Sequence, residues 1–210
     1  MPGVDQYEAT GHTLLDMVRM LISVQAGWIG RTDELVGLGV PDLRPAALLP
    51  RITTLAQRLR AELADDERRA IEELVDGLPR RFADIESCGV PDTLVHGDFH
   101  PGNVRGTPQQ MVILDWGDSG VGQPMIDQLA FCRPLAPADR SAAEDVWATQ
   151  WQRIVPGSET GRAAALLGPV ATLNAAVVYQ HFLDCIEPAE RPYHQGDPVT
   201  ALREALGAAR

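Results

Sequence analysis

The chain has 210 residues, 45% of them hydrophobic and only 5% aromatic, and a formal charge of −11. That length and apolar content support a packed core and exclude a disordered chain, and a composition poor in aromatics points to packed helices rather than a β-sandwich. The acidic balance argues against nucleic acid and anionic membrane surfaces as partners, and all 18 basic residues are arginine, with no lysine anywhere.

From Tyr7 to about Gly27, Leu14, Met17, Val18, Leu21 and Ile22 recur at helical spacing, and the Gly/Pro-rich "GLGVPDLRP" then reads as a loop. A second helical stretch is expected from Ala47 to Leu78, with Ile52, Leu55, Leu59, Leu63, Ile71, Leu74 and Leu78 as its apolar stripe, "ADDERR" as a solvated face and Pro79 as its stop. The middle changes character: "DTLVHGD" and "QQMVILDW" each hold a short aliphatic run that ends in Asp, and read as two short strands. Helical periodicity returns at Met125 to Phe131, through Val146, Trp147, Trp151 and Ile154, and from Gly161 to Ile186, where Pro169 is expected to kink or divide the helix. "EPAERPYHQGDP" reads as a loop and Val199 to Ala209 as a terminal helix.

Without repeats or low-complexity linkers, residues 1–210 read as a single domain. Residues 1–90 form its helical part, 91–130 its chemical segment and 131–210 its C-terminal helices. The fold class is mainly α with a small β element (α+β). Cys88, Cys132 and Cys185 are far apart and odd in number, which predicts buried thiols and neither disulfides nor a zinc site. No basic leader precedes an apolar segment and no apolar run reaches the roughly 18 residues of a membrane span, so a cytoplasmic protein without a membrane partner is expected.

The chemistry concentrates in "HGDFHPGNV", His96 to Val104, and "MVILDWGDSG", Met111 to Gly120. Asp98 precedes Asn103 by five positions, and Asp115 ends the second aliphatic run. A carboxylate, a carboxamide and a second carboxylate at strand ends are what phosphoryl transfer needs: one Asp to take the substrate hydroxyl proton, and two oxygen donors for Mg²⁺ on the nucleotide phosphates. The spacing reproduces the kinase pattern H-R-D-x-x-x-x-N with Gly97 in place of Arg, and "DWG" stands where kinases carry D-F-G. Turn capping by Asp98 and Asn103, or a metal held by His96, Asp98 and His100, explains less of this pattern.

With "ILDWGDSGVGQPMIDQLA", this segment resembles the aminoglycoside phosphotransferase and choline kinase-like family, which shares the protein-kinase fold. The flanking helices, from "GHTLLDMVRML" to "VVYQHFLDCIEP", extend the likeness to a C-terminal lobe over nearly the whole chain. The resemblance implies that Asp98 is the catalytic base, that Asn103 and Asp115 hold magnesium, that Asp127 braces the catalytic loop and that His96 is a structural member of it. Asp118 has no assigned role.

A kinase of this fold also needs a β-rich lobe with a lysine on the nucleotide phosphates. No lysine exists here, arginine is bulkier and differently directed, and the 95 residues before His96 read as helices and loops. The expectation is therefore a C-terminal lobe that lacks its β-rich partner, with Mg²⁺ and ATP as cofactors at an incomplete nucleotide site and a small-molecule hydroxyl as substrate. It would be inactive or weakly active alone, and would self-associate as a homo-oligomer through the apolar surface left open. The competing expectation is a noncatalytic binding module that retains the catalytic-loop residues. A metal hydrolase on Asp98, Asn103 and Asp115 would lack a histidine-rich ligand cluster. The acidic residues Asp139, Glu144, Asp145, Asp184, Glu187 and Glu190 would suit a polycationic substrate if they lined a pocket, or simply solvate helix faces.

Overall fold

The computed structural model describes residues 4–107 and 110–209. Its fold class is the expected one, ten helices and five short strands among those residues. The chain forms two compact units: Met1–Arg44 with Glu86–Ala165, and Pro45–Ile85 with Leu166–Arg210.

In the first unit, α1 (His12–Ala26) buries Leu14, Met17, Val18, Leu21 and Ile22, the stripe expected from spacing, against α7 (Pro137–Ile154). The helix starts at His12 rather than Tyr7, and the Gly11 N–H at its start donates to Asp139 Oδ1 at 3.3 Å. A short helix that the pattern missed, α2 (Thr32–Gly37), follows; six residues carry too few apolar positions to show a period. The strands make two small antiparallel sheets. In one, β1 (Val4–Asp5) pairs with β3 (Val104–Thr107), which pairs with β4 (Gln110–Ile113). In the other, β2 (Thr93–Val95) pairs with β5 (Gly120–Gly122). Gln109, the first residue expected in the second strand, lies outside the described residues. Helix α6 (Met125–Cys132) packs on α7, where Trp147 and Trp151 are fully buried. Full burial of a side chain of this size contributes about 2–3 kcal/mol.

In the second unit, the stretch expected as one helix from Ala47 to Leu78 is divided. It comprises α3 (Pro45–Arg58), a 3₁₀ turn at Arg60–Glu62 and α4 (Asp65–Asp76). The Ala64 N–H donates to Glu67 Oε2 at 2.9 Å, so the "ADDERR" segment begins a helix as well as facing solvent. Pro79 does not stop a helix but stands at the second position of α5 (Leu78–Glu86), where its missing N–H costs nothing. The loop expected over Glu187–Pro198 contains the short α9 (Arg191–His194), and α10 (Asp197–Ala208), which packs on α4, begins two residues earlier than expected.

Helix α8 (Thr160–Cys185) runs through Pro169 without division. Contrary to the expectation of no membrane-length apolar run, its sequence has the length and composition of one, at a mean hydropathy of 1.3. Nearly half of that stretch is buried inside the protein, including Leu167, Val170, Leu173 and Ala176, as in a core helix. Cys88 and Cys132 are buried as expected, whereas Cys185 at the end of α8 is exposed. Burial pushes the Cys132 thiol up to about 12, which keeps it protonated and unreactive.

Candidate active site

The residues singled out from the sequence gather in the first unit, at the joins between strands. His96, Asp98 and Asn103 lie between β2 and β3, Asp115 follows β4, and Asp127 sits in the first turn of α6. The β3–β4 register pairs Val104 with Ile113, and one step further the Leu114 N–H donates to the Asn103 carbonyl at 2.8 Å. Asn103 and Asp115 are therefore neighbours by strand register, although twelve residues apart in sequence.

The loop is pinned from three sides. Asp127, with no exposed surface, accepts the His96 N–H and the Gln25 Nε2–H on Oδ2, at 2.9 and 2.8 Å, and the Gly97 N–H on Oδ1 at 2.9 Å. Burial raises its carboxyl to about 6 and the two backbone donors oppose the rise, so at neutral pH it is ionised, as three converging N–H groups require. His96 is fully buried. The Asp98 N–H meets its Nδ1 at 3.3 Å, which puts the proton on Nε2, and Nε2 donates to the Leu114 carbonyl at 2.8 Å. Both ring nitrogens are thereby used within the protein, and neither can serve the His96–Asp98–His100 metal reading. Phe99, also without exposed surface, stacks on Phe131 at 5.0 Å and meets the edge of Trp147 at 6.4 Å, so an aromatic anchor fixes the underside of a polar loop.

Two glycines are required by close approach. Gly97 has φ +87°, and a Cβ there would lie 2.1 Å from the Asp118 carbonyl oxygen; a Cβ on Gly102 would lie 2.2 Å from the Tyr7 ring. The substitution of Gly97 for the kinase arginine thus lets the "DWGD" backbone close on the catalytic loop. Tyr7 and Leu114, at 66% and 42% exposure, are large hydrophobic side chains left open beside this loop.

At the surface of this frame, Asn103 Nδ2 donates to the Asp98 carbonyl at 2.8 Å and reaches Asp98 Oδ2 at 3.3 Å. The amide orientation leaves Asn103 Oδ1 directed away from these bonds and available as a ligand. His100 Nδ1 accepts the Gly102 N–H at 3.1 Å, which turns Nε2 toward Asp98 Oδ2, 3.6 Å away. Asp115 is the one residue other than glycine with positive φ (58°) among those described. Such a left-handed backbone costs about 1 kcal/mol outside glycine and is tolerated best by Asn and Asp. The Asn103 side-chain oxygen and the exposed Asp115 carboxylate are hard oxygen donors, whose chemistry fits Mg²⁺ and suits neither zinc nor copper, and the Asp98 carboxylate is exposed on the same loop as Asn103. Among the described residues no group of three His, Cys, Asp or Glu side chains forms a metal cluster of its own.

Gln25, Phe99 and Tyr7 were not legible as site residues. Gln25 lies 102 positions from Asp127 and looks like one polar interruption of a helix; it is buried and is also fixed by the Thr93 hydroxyl, which donates to its carbonyl. Phe99 carried the one available signal, an aromatic inside an otherwise polar loop.

A mainly helical chain with two small sheets is the architecture of the C-terminal lobe of the protein-kinase-like phosphotransferase fold. The chain belongs to the phosphotransferase enzyme family, whose sequence pattern matches residues 1–165. Macrolide 2′-phosphotransferase MphH from Brachybacterium faecium is similar in structure at 21% identity and TM-score 0.58, over 96% of this chain and 67% of that one. Choline kinase from Cryptosporidium parvum Iowa II is similar at 12% identity and TM-score 0.63, over 100% of this chain and 68% of that one. Aminoglycoside 2′-phosphotransferase-IIIa, solved as a GDP complex, is similar at 16% identity and TM-score 0.54, over 94% of this chain and 62% of that one. At such identities the likeness shows the fold. This chain spans about two thirds of the length of these structures, and no curated protein matches it significantly.

Proposed function

We propose that this chain is the catalytic and acceptor-binding lobe of an ATP-dependent kinase of small-molecule hydroxyls. The observation that carries the reading is the bond from Leu114 to Asn103, which brings Asp115 beside a loop already clamped by Asp127. Asp98 accepts the proton of the substrate hydroxyl. Exposed at the loop surface, it is held by the bonds from Asn103 Nδ2 and by the His96 ring beneath its backbone. Asn103 Oδ1 and the Asp115 carboxylate are the donors that would hold Mg²⁺. Magnesium, when bound with the nucleotide, supplies charge neutralisation on the phosphates. Asp127, Gln25 and Phe99 fix the loop so that Asp98 needs little reorganisation when a substrate arrives.

The absence of lysine favours a second reading, a binding module that keeps the loop without turnover. The two readings part on one experiment. The chain is given Mg-ATP and a panel of aminoglycosides, macrolides, choline and amino alcohols, with phosphate transfer followed by mass and nucleotide binding by calorimetry. Transfer that falls at least about 100-fold in Asp98→Ala supports the enzyme. Nucleotide binding without transfer supports the module, and absence of nucleotide binding sinks catalysis by this chain alone.

A further inference from the structure

The second unit holds a cavity that shares no residue with the catalytic segment. It measures about 370 Å³ and lies between α3 and α8, near the lower end of the range for small-molecule sites, about 300–1,000 Å³. Each helix contributes one face: Arg51, Leu55 and Arg58 stand at i, i+4 and i+7 on α3, and Val177, His181 and Asp184 at the same spacing on α8.

The chemistry of the lining is asymmetric. Leu55, 5% exposed, and Val177 give it an apolar floor. One end is closed by Arg58, which donates to both Asp184 oxygens at 2.7 Å, while Gln180 Nε2 adds a bond to Asp184 Oδ1 at 3.1 Å. Asp184 is the one carboxylate in the lining, and Arg58 neutralises it. The remaining formal charge is Arg51, whose guanidinium has no hydrogen-bond or ion-pair partner among the described residues. His181 lines the same cavity, and the one hydrogen-bond partner of its ring among the described residues is Cys185 Sγ, a weak acceptor 3.9 Å from each ring nitrogen that an oxyanion would displace as acceptor of the imidazole N–H. An uncompensated guanidinium and an imidazole N–H over an apolar floor form an anion-selective surface in a protein of charge −11.

We propose that this cavity binds an amphipathic organic anion, with its apolar body on Leu55 and Val177 and its oxyanion head on Arg51 and His181. The site stands independently of the phosphotransferase reading. Calorimetric titration with 1-naphthyl phosphate and 2-naphthoate tests it and separates a phosphate from a carboxylate head; 1-naphthol serves as the neutral twin and inorganic phosphate as the head alone. Saturable one-to-one binding of either naphthyl anion is expected, with 1-naphthol and inorganic phosphate each at least about tenfold weaker. Arg51→Glu should weaken the anion about tenfold or more, His181→Ala severalfold, and Asp98→Ala not at all; Arg51 and His181 are exposed, and circular dichroism checks that both variants keep the fold. The proposal is overturned if neither anion saturates, if 1-naphthol binds as tightly as the anions, if Arg51→Glu binds like the parent, or if Asp98→Ala abolishes binding.

Discussion

In the first unit a carboxylate with no exposed surface, Asp127, is met by three N–H donors from two backbone positions and a glutamine. In the second unit the charged pairs stand in water: Arg58 with Asp184, Arg60 with Glu72 and Arg203 with Glu67, with most of these side chains about half exposed. Both units have apolar cores, but among the described residues only the first uses a buried charge to fix a polar loop. A buried carboxylate is worth keeping only when its acceptors are filled, because desolvation otherwise costs more than it returns, and filling them dictates where each donor's backbone lies. An exposed pair dictates little, since water competes for both partners and long side chains move.

The contrast can be broken most directly at its centre. Asp127→Ala leaves the His96 and Gly97 N–H groups and the Gln25 amide unpaired inside the protein and should cost about 3 kcal/mol or more in urea unfolding. A loss as small as that of a surface substitution would mean that water reaches the site.

A comparable effect should follow pH. Burial places the Asp127 carboxyl at about 6, and an unfolded Asp titrates near ~3.9. The folded state therefore takes up the proton first, so the stability linked to this proton is fully present below about pH 4 and is lost as pH rises through about 6, about 3 kcal/mol across the window. The unfolding free energy of the parent minus that of Asp127→Asn should rise by that amount from pH 7 to pH 4. A flat difference would show that the three donors hold the group ionised throughout.

A smaller effect isolates strain from function. Asp115→Gly relieves the left-handed backbone and should leave stability unchanged or raise it by up to about 1 kcal/mol, while on the proposed reading it removes a Mg²⁺ donor and so weakens Mg²⁺-dependent nucleotide binding. A marked fall in stability would show instead that the Asp115 side chain supports the fold. Smallest of all, Arg58→Met should leave the urea midpoint of the second unit within error, since its ion pair with Asp184 is solvated.

Much of this was legible in the residues. The helical stripes of α1 and α6 and the burial of Trp147 and Trp151 follow from short-range spacing, because one turn of helix fixes which side chains share a face. Boundaries were less legible. Pro79, expected as a stop, stands at the start of α5, and the division between α3 and α4 depends on the turn at Arg60–Glu62, which no hydrophobic period marks. Gln25 could not be read as a partner of Asp127, since the pairing depends on where α1 lies beside α6 rather than on any local pattern.

The sequence by itself determined the chemistry on offer: an Asp and an Asn five positions apart, a second Asp at a strand end, and basic residues that are all arginine. Tertiary structure alone decided how that chemistry is held. The β3–β4 register sets Asp115 beside Asn103, Phe99 is drawn into an aromatic core, and the Asp127 carboxylate is buried where Gln25, His96 and Gly97 can fill its acceptors. The physical reason is range: propensity and spacing act over a few residues, whereas a buried charge must be satisfied by whatever groups the fold brings within hydrogen-bond distance, here from as far as 102 positions away.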